Sequence, residues 1–551
     1  MNLFSEYQKK ICELLVYLEK KNSIIINVDL KNLSVKLPPS VFNADLSCNA
    51  AMVLAKANKT SPMKLGEKIK SELTLHFKEF KNITIEKPGF ININFSSSFW
   101  ENYLLKIIKF DSSYGSNKSK KKKYNIEFVS ANPTGPLHVG HCRGAILGDV
   151  LSNLISFNGH KVTKEYYVND SGSQIKNFIN SVYFRIIEIK SKKKFPDDEN
   201  LYPGDYIIDI AKKIIKTNII KDFTDIDKIY KKLYVETLKY SMDIVKNDLK
   251  ILGVKHDSFV YESNLIKDNV VKTVVKQLQK KEFIYKGSLK APKGEINDKW
   301  KARSQLLFKS TLFGDDTDRA LQKEDASWTY FASDIAYHFH KVERKFDVLI
   351  NVLGADHAGY IKRIKAATKA VSNNKVNLIC KVSQLVKLFK SGMPFKMSKR
   401  KGDYITVHDL IEEVGKDSVR FMMLNRSNDA ELDFDFEKVT EKSKENPVFY
   451  VQYAYARINS IFRALNLNID KKIIMNKDGY ILNQNELNIL KKIAEWPQCV
   501  EIATNKLEPH TVPFYLYELS TLFHSYWNLG KDNEEFRFVS KKINSKRLIL
   551  L

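Results

Sequence analysis

Apolar residues recur along this chain at two spacings, and their order predicts the architecture. In "YQKKICELLVYLEK" they fall three and four apart, the spacing of a helix with one buried face. "ITIEKPGFININFS" alternates instead, as strands do, on either side of a Pro88-Gly89 turn. These stretches predict a small α+β module over residues 1–115. "SYGSNKSKKKKY", Ser113 to Tyr124, is polar and basic and reads as a linker. Beyond it, "NIEFV" (Asn125 to Val129) is a short β-run, and "GHCRGAILGDVLSNLISFNG" is a helix ending at an Asn158-Gly159 cap. "KVTKEYYV" is a second β-run; "DIAYHFHKVERKF" is a helix feeding the apolar strand of "DVLINVLGADH"; "IKRIKAATKAV" is the next helix. Strands alternating with helices predict an α/β fold with a doubly wound parallel sheet over residues 116–435. A charged, mostly helical stretch at about 181–309 reads as an insertion between its halves. Residues 436–551 read as all-α; in "NPVFYVQYAYARINSIF", Phe449, Tyr453, Ala456 and Ser460 share a stripe expected to be mostly core.

A chain of 551 residues needs roughly three to four domains. Its 90 Lys and Arg against 64 Asp and Glu leave a formal net charge of +26. That surplus points to a polyanionic partner, most simply nucleic acid; a compositional excess of Lys alongside Ile and Asn is the plain alternative. Cys12, Cys48, Cys142, Cys380 and Cys499 lie far apart, which speaks against a disulfide frame or a zinc ribbon and fits a reducing, cytoplasmic setting. "MNLFSEYQKK" lacks the apolar centre of a signal peptide, and no run of about eighteen apolar residues predicts a membrane span.

The chemistry gathers in "ANPTGPLHVGH", Ala131 to His141. Gly135 and Gly140 have the spacing of a phosphate-binding P-loop, but His141 and Cys142 replace its Lys and hydroxyl residue. The dinucleotide pattern G-x-G-x-x-G is absent from the segment. Zinc is disfavoured because His141 and Cys142 are adjacent on a helix, about 100° apart, with no acidic third ligand nearby. What remains is a strand end, a Pro-bracketed turn and a helix starting near Val139, whose free N–H groups suit an anion. His138 and His141 can donate to phosphate oxygens, and Gly140 admits close approach: a nucleotide site without a P-loop. "FKMSKRKGD", Phe395 to Asp403, places Lys396, Lys399, Arg400 and Lys401 on what should be a loop able to neutralise a departing pyrophosphate.

"HVGH" resembles the HIGH signature, and "KMSKR" the KMSKS signature, of class I aminoacyl-tRNA synthetases. "EFVSANPTGPLHVGH", "EYYVNDSG", "TYFASDIAYH", "INVLGADHAGYIKR", "KMSKRKGDYITVHDLIEEVGKDSVRF" and "NPVFYVQYAYARI" together resemble arginyl-tRNA synthetases of the bacterial type. "FNADLSCNAAMVLAKANKTSPMKLGEKI" is similar to that family's extra amino-terminal domain, so the resemblance covers nearly the whole chain. It implies a Rossmann-like catalytic domain over 116–435 with a KMSK loop at 395–403, a tRNA-contacting domain over 1–115 and a helical anticodon-binding domain over 436–551. That family's chain continues past a segment like "SKRLILL" with a helix and a short tail, so the resemblance also implies an anticodon domain shortened naturally or by a missing end.

The implied activity is arginine–tRNA ligation, with ATP and its Mg2+ as a substrate complex, no protein-bound metal, and L-arginine and tRNA(Arg) as partners of a monomer. The resemblance assigns His138 and His141 to the ATP phosphates, and Lys396 and Lys399 to pyrophosphate. Gly140, Gly354, Asp356, His357, Met397 and Ser398 complete the ATP site, with Arg400 standing where the signature has Ser. Tyr330 and Asp334, four apart on one predicted helix, and Glu262 read the guanidinium; Ser130 and Asn132 hold the amino acid's backbone end; Glu127 supports them. Tyr450, Tyr453 and Arg457 have two readings, tRNA contact or core. Two rivals remain: a nucleotidyl-transferring ligase for another acid, and a non-catalytic RNA-binding descendant. The acids Asp334 and Glu262 argue against the first, and His138, His141, Lys396 and Lys399 against the second.

Overall fold

The computed structural model describes residues 2–39, 41–117, 121–289, 304–394, 405–464 and 482–539. They fall into two compact units, one built from Met1–Asn117 with Lys442–Leu551, the other from Lys118–Glu441. The amino-terminal part of the first unit runs α1 (Leu3–Lys20), β1 (Val35–Lys36), β2 (Leu46–Cys48), α2 (Ala50–Leu54), α3 (Pro62–His76), β3 (Phe80–Glu86), β4 (Phe90–Phe95) and α4 (Ser97–Phe110). Asn2 caps α1 by accepting from the N–H groups of Phe4 and Ser5, and the helix buries Tyr7, Ile11, Leu14, Leu15 and Leu18. The four strands form an antiparallel sheet in the order β1-β2-β4-β3.

The second unit runs β5 (Lys123–Glu127), α5 (Val139–Phe157), β6 (Lys161–Val168), α6 (Ser173–Ser191), α7 (Asp205–Thr217), α8 (Ile226–Ile251), β7 (Ser258–Tyr261), α9 (Glu262–Lys267) and α10 (Val270–Lys280). It continues with β8 (Ile284–Gly287), β9 (Gln305–Phe308), β10 (Arg319–Ala320), α11 (Tyr330–Glu343), β11 (Val348–Gly354), α12 (Ile361–Ser372) and β12 (Asn377–Ser383). It ends with β13 (Val386–Lys390), β14 (Met393–Pro394), α13 (Val407–Val414), α14 (Lys416–Leu424), β15 (Leu432–Asp435) and α15 (Phe436–Thr440). The central sheet is entirely parallel, in the order β12-β11-β5-β6-β7. The stretch at 181–309 is less helical than its composition suggests: β7 is an edge strand of the central sheet, and β9 pairs with β8 and β10 in a second sheet. "SFVY" is four residues long, too short for its period to be read.

The chain returns to the first unit with α16 (Pro447–Ala464), α17 (Gln484–Ala494), α18 (Trp496–Asn505) and α19 (Thr511–Asp532). The core face of α16 is not the expected stripe. Val448, Ala454 and Ile461 are buried, whereas Tyr453 is 41% exposed and Ala456 is exposed. Ala454 and Ile461 lie about one residue, or ~100°, to one side of the aromatic stripe and Val448 to the other, because apolar residues recur on adjacent faces and spacing alone does not choose between them. Both ends of the chain share one core: Leu490 and Ala494 of α17 pack into the cluster built by α1 and the β1–β4 sheet. Lys491 pairs with buried Asp45, and Asn2 donates to Glu501 at 2.6 Å. The expected linker is anchored at its start, since Tyr114 is buried, donates to the Ile493 carbonyl at 3.1 Å and accepts from the Trp496 indole at 3.0 Å.

Candidate active site

After β5 the chain crosses to β6 on one side, while β11 lies on the other. A ligand crevice is therefore expected at the carboxyl end of β5, beside that of β11. The turn there is strained. Val129 and Ser130 have φ of 72° and 42°, and a β-branched residue in the left-handed region costs about 1–3 kcal/mol. Side chains from other elements hold it. His256 bonds the Phe128 carbonyl (3.3 Å), Tyr166 that of Ala131 (2.8 Å), Ser241 that of Pro133 (2.8 Å) and Tyr206 that of Thr134 (2.9 Å). Asp248 of α8 accepts from the Leu137 N–H at 2.8 Å, and burial pushes its carboxyl up to about 6.

His138 and His141 begin α5 as a reciprocal capping box. Nδ1 of His138 accepts from the Gly140 N–H (3.1 Å), and Nδ1 of His141 accepts from the His138 N–H (3.2 Å). Each neutral ring therefore carries its proton on Nε2. A Cβ on Gly140 would stand 2.9 Å from Cε1 of His138, so this glycine makes room for the histidine ring. The segment after the KMSK signature lies against the same turn. Val139 donates to the Ile405 carbonyl (3.1 Å), Val407 donates to that of Leu137 (2.9 Å), and His138 and Thr406 form an antiparallel bridge. Residues 395–404, which include Lys396, Met397, Ser398 and Lys399, lie outside the described residues.

Arg143, one turn into α5, is buried and donates to four backbone carbonyls: Gln384 (3.0 Å), Ala430 (2.7 Å), Ser427 (2.8 Å) and Arg426 (3.4 Å). Burial, then the charge of Arg426, lowers its guanidinium to about 10. Gln384 leads into β13 and Ala430 into β15, which pair in parallel, while β14 pairs with β13 and ends at Pro394. One side chain thus fastens the signature helix to the small sheet from which the basic segment departs.

Burial, then the charges of four acids around it, Glu262, Asp334, Glu127 and Asp170, hold the phenol of Tyr167 on β6 protonated. Glu262 accepts from the Ser171 hydroxyl at 2.8 Å, and Asp170 accepts from the Ser263 N–H (2.9 Å) and the Tyr234 hydroxyl (3.1 Å). Ser130 donates to Glu127 (3.0 Å) and accepts from the Tyr167 N–H (3.0 Å). Asp334, one turn into α11, accepts from the Tyr360 hydroxyl. Burial, with repulsion from Glu127 and Glu262, outweighs that bond and the charge of Lys341 and pushes Asp334 up to about 7. The hydroxyl of Tyr330, itself 59% exposed, stands over Gly172, where a Cβ would be 3.1 Å away.

Three family patterns match the chain: "Arginyl tRNA synthetase N terminal domain" over residues 8–95, "tRNA synthetases class I (R), catalytic domain" over 104–462 and "DALR anticodon binding domain" over 451–551. An arginine–tRNA ligase of Pelagibacter ubique is 55% identical over 555 aligned residues, covering 100% of this chain and 96% of its own. The chain belongs to the arginyl-tRNA synthetase family. An arginine–tRNA ligase of Ruegeria pomeroyi is 42% identical, with 98% and 94% covered. The fold matches the Thermus thermophilus arginyl-tRNA synthetase (TM-score 0.72, 16% identity, 100% and 96% covered) and that of Plasmodium falciparum (TM-score 0.69, 18% identity, 100% and 95% covered).

In this synthetase the end of β5 with the turn after it, the start of α9 and the start of α11 bring Glu127, Ser130, Glu262 and Asp334 around one tyrosine. Asn132 is exposed and donates to Gln174 at 2.7 Å. Gly354 ends β11; a Cβ there would lie 2.5 Å from Asp356 Oδ1, and exposed Asp356 and His357 pair at 3.5 Å. In the first unit Arg457 stacks on Tyr453 (4.0 Å to the ring centre), donates to its hydroxyl (2.9 Å) and bonds His524 (2.8 Å), whose other nitrogen bonds the Tyr450 carbonyl (3.0 Å). Sequence reasoning missed Arg143, Asp248, Lys341 and Tyr360. Arg143 carried one signal, a charge inside the apolar run of α5; the others become visible only once distant elements meet.

Proposed function

We propose that this synthetase joins L-arginine to ATP at the carboxyl end of the parallel sheet and passes the arginyl group to the terminal adenosine of tRNA(Arg). The arginine carboxylate attacks the α-phosphorus, the bond to the bridging oxygen breaks, and pyrophosphate leaves with Mg2+. The adenosine 2′-hydroxyl then displaces AMP from the arginyl carbonyl. The observation that carries this reading is the group of four acids around Tyr167, a site suited to a cationic side chain. Asp334, Glu262 and Tyr330 receive the guanidinium, while Ser130 and Asn132 hold the backbone end. His138 and His141 offer Nε2–H donors to the phosphates, supported by their Nδ1 bonds to the backbone. Gly140, Gly354, Asp356 and His357 border the nucleotide. Lys396 and Lys399 neutralise pyrophosphate, with Met397 and Ser398 shaping their segment; the hydrogen bonds of the following residues to the His138 turn support this. Tyr450, Tyr453 and Arg457 meet tRNA in a helical anticodon-binding domain at 436–551, and the domain at 1–115 contacts the tRNA's outer corner. The enzyme works as a monomer in the cytoplasm.

Arginine-dependent ATP–pyrophosphate exchange, run with and without total tRNA and with lysine as control, tests the reading. Exchange with arginine and not with lysine, appearing when tRNA is added, is expected. Exchange with lysine, or none in folded protein, overturns it.

A pH dependence follows from Asp334, which must be ionised to hold a guanidinium. The KM for arginine is flat above pH 7 and rises about tenfold per unit below it. The stability sign agrees. With its folded value raised from 3.8 to about 7, ionising Asp334 destabilises the arginine-free fold as pH rises through that window, and bound arginine removes the penalty. The thermal shift produced by arginine therefore grows between pH 5 and 7.5, and a pH-independent shift counts against the role.

A further inference from the structure

We propose that Lys341 is a positioning residue that fixes the distance between the two ends of the arginine site, and so selects the length of the substrate side chain. This rests on the assignment of Ser130 and Asp334 to those two ends. The ammonium is fully buried and is the node of a continuous polar chain. In one direction Nζ donates to Glu127, whose other oxygen accepts from the Ser130 hydroxyl at 3.0 Å. In the other, Nζ donates to Asn351 (3.0 Å), the Asn351 amide donates to Nε2 of His338 (3.1 Å), and Nδ1–H of His338 donates to the backbone carbonyl of Asp334 (2.8 Å). Burial lowers His338 to about 4, so the ring stays neutral and keeps one donor and one acceptor in this order.

The chain belongs to a wider polar layer. Asn351, Glu127 and Glu165 sit side by side in register on β11, β5 and β6. Along one face of α11 Tyr337, His338 and Lys341, and at its C-cap Arg344, meet them: Tyr337 donates to Glu165 at 2.8 Å, Arg344 forks onto both Glu165 oxygens, and Lys341 sits 4.4 Å over the Tyr337 ring. Against the pull of burial, the Arg344 fork and Lys341 hold Glu165 below the ordinary carboxylate range.

Stability does not explain such a layer, because replacing a buried ion pair with apolar residues of equal volume is often neutral or favourable. Direction does. An apolar helix–sheet contact tolerates small slides, whereas a chain of donors and acceptors of fixed polarity has one arrangement. A slide of α11 would carry Asp334 with it, while Ser130 is fixed to β5. The tie between them therefore sets the span that an amino acid must bridge.

The test compares L-arginine with L-homoarginine, one methylene longer, in exchange assays with tRNA present. Two variants are used: Glu127→Gln/Lys341→Met, which removes both charges together, and Asn351→Leu, which leaves the ion pair and removes the bonds by which β11 holds Lys341 and His338 of α11. In both, the preference for arginine over homoarginine in kcat/KM falls at least about tenfold, while the KM for ATP stays within about twofold. An unchanged preference in folded variants overturns the proposal. So does a rise in the ATP KM in step with that for arginine, or failure of both variants to fold, since each makes Lys341 a purely structural residue. Wild-type protein that does not use arginine strikes the reading of the site instead.

Discussion

Replacing Asp334 with Asn lowers kcat/KM for arginine about a thousandfold and leaves the KM for ATP nearly unchanged. The substitution keeps the side chain's shape and its bond from Tyr360 but removes the negative charge. Truncating one partner of a buried charge pair costs 2–5 kcal/mol, and ~4 kcal/mol is about three orders of magnitude. Glu127 does not compensate, because it is engaged by Lys341 and Ser130, and Glu262 alone leaves the guanidinium with one of its two carboxylates. The variant also loses the dependence of the arginine KM on pH below 7, which a general loss of fold would not produce. Exchange rates titrated with arginine and with ATP at three pH values decide it. Unchanged arginine use removes Asp334 from the pocket.

Replacing Arg143 with Met destabilises the second unit by about 3–5 kcal/mol, counting roughly one per orphaned carbonyl and more for a charged donor. Four carbonyls from two separate segments lose their partner at once. Arg143→Lys recovers little, because an ammonium has three donors and no planar fork to span them. Urea unfolding of the three proteins measures this; a loss under 1 kcal/mol for Met would mean that water reaches those carbonyls. Exchange activity falls with stability, since the same carbonyls flank β13 and β15.

β6, β11 and the start of α5 were legible because their signals are local, and β5 was legible with its bounds shifted by two residues. "KVTKEYYV" gives β6 at its observed bounds, and the helix expected near Val139 begins there. The capping role of the histidine pair was not legible, because imidazole rarely caps a helix and nothing in the spacing shows which nitrogen faces the backbone. β7 was hidden by its length, and the buried face of α16 by a second apolar stripe one residue away. The acids around Tyr167 sit on three elements and one loop spread from Glu127 to Asp334, and the strained Val129 leaves no mark in composition, since valine is an ordinary strand residue. Lys341 and Tyr360 had no local signal, because their partners come from other elements.

The sharing of one core by both chain ends has a consequence for how the protein is made. The cluster around α1 is closed by Leu490 and Ala494, and the buried carboxylate of Asp45 meets its lysine only at position 491. A ribosome releases the first module roughly 400 residues before α17, on the order of half a minute at ~5–20 residues per second. During that interval the first module waits with an open apolar seat and an acid held by Phe95 and Trp100 but lacking its lysine. Premature termination anywhere before α17 therefore leaves an incomplete amino-terminal core, marked for capture by chaperones or proteases.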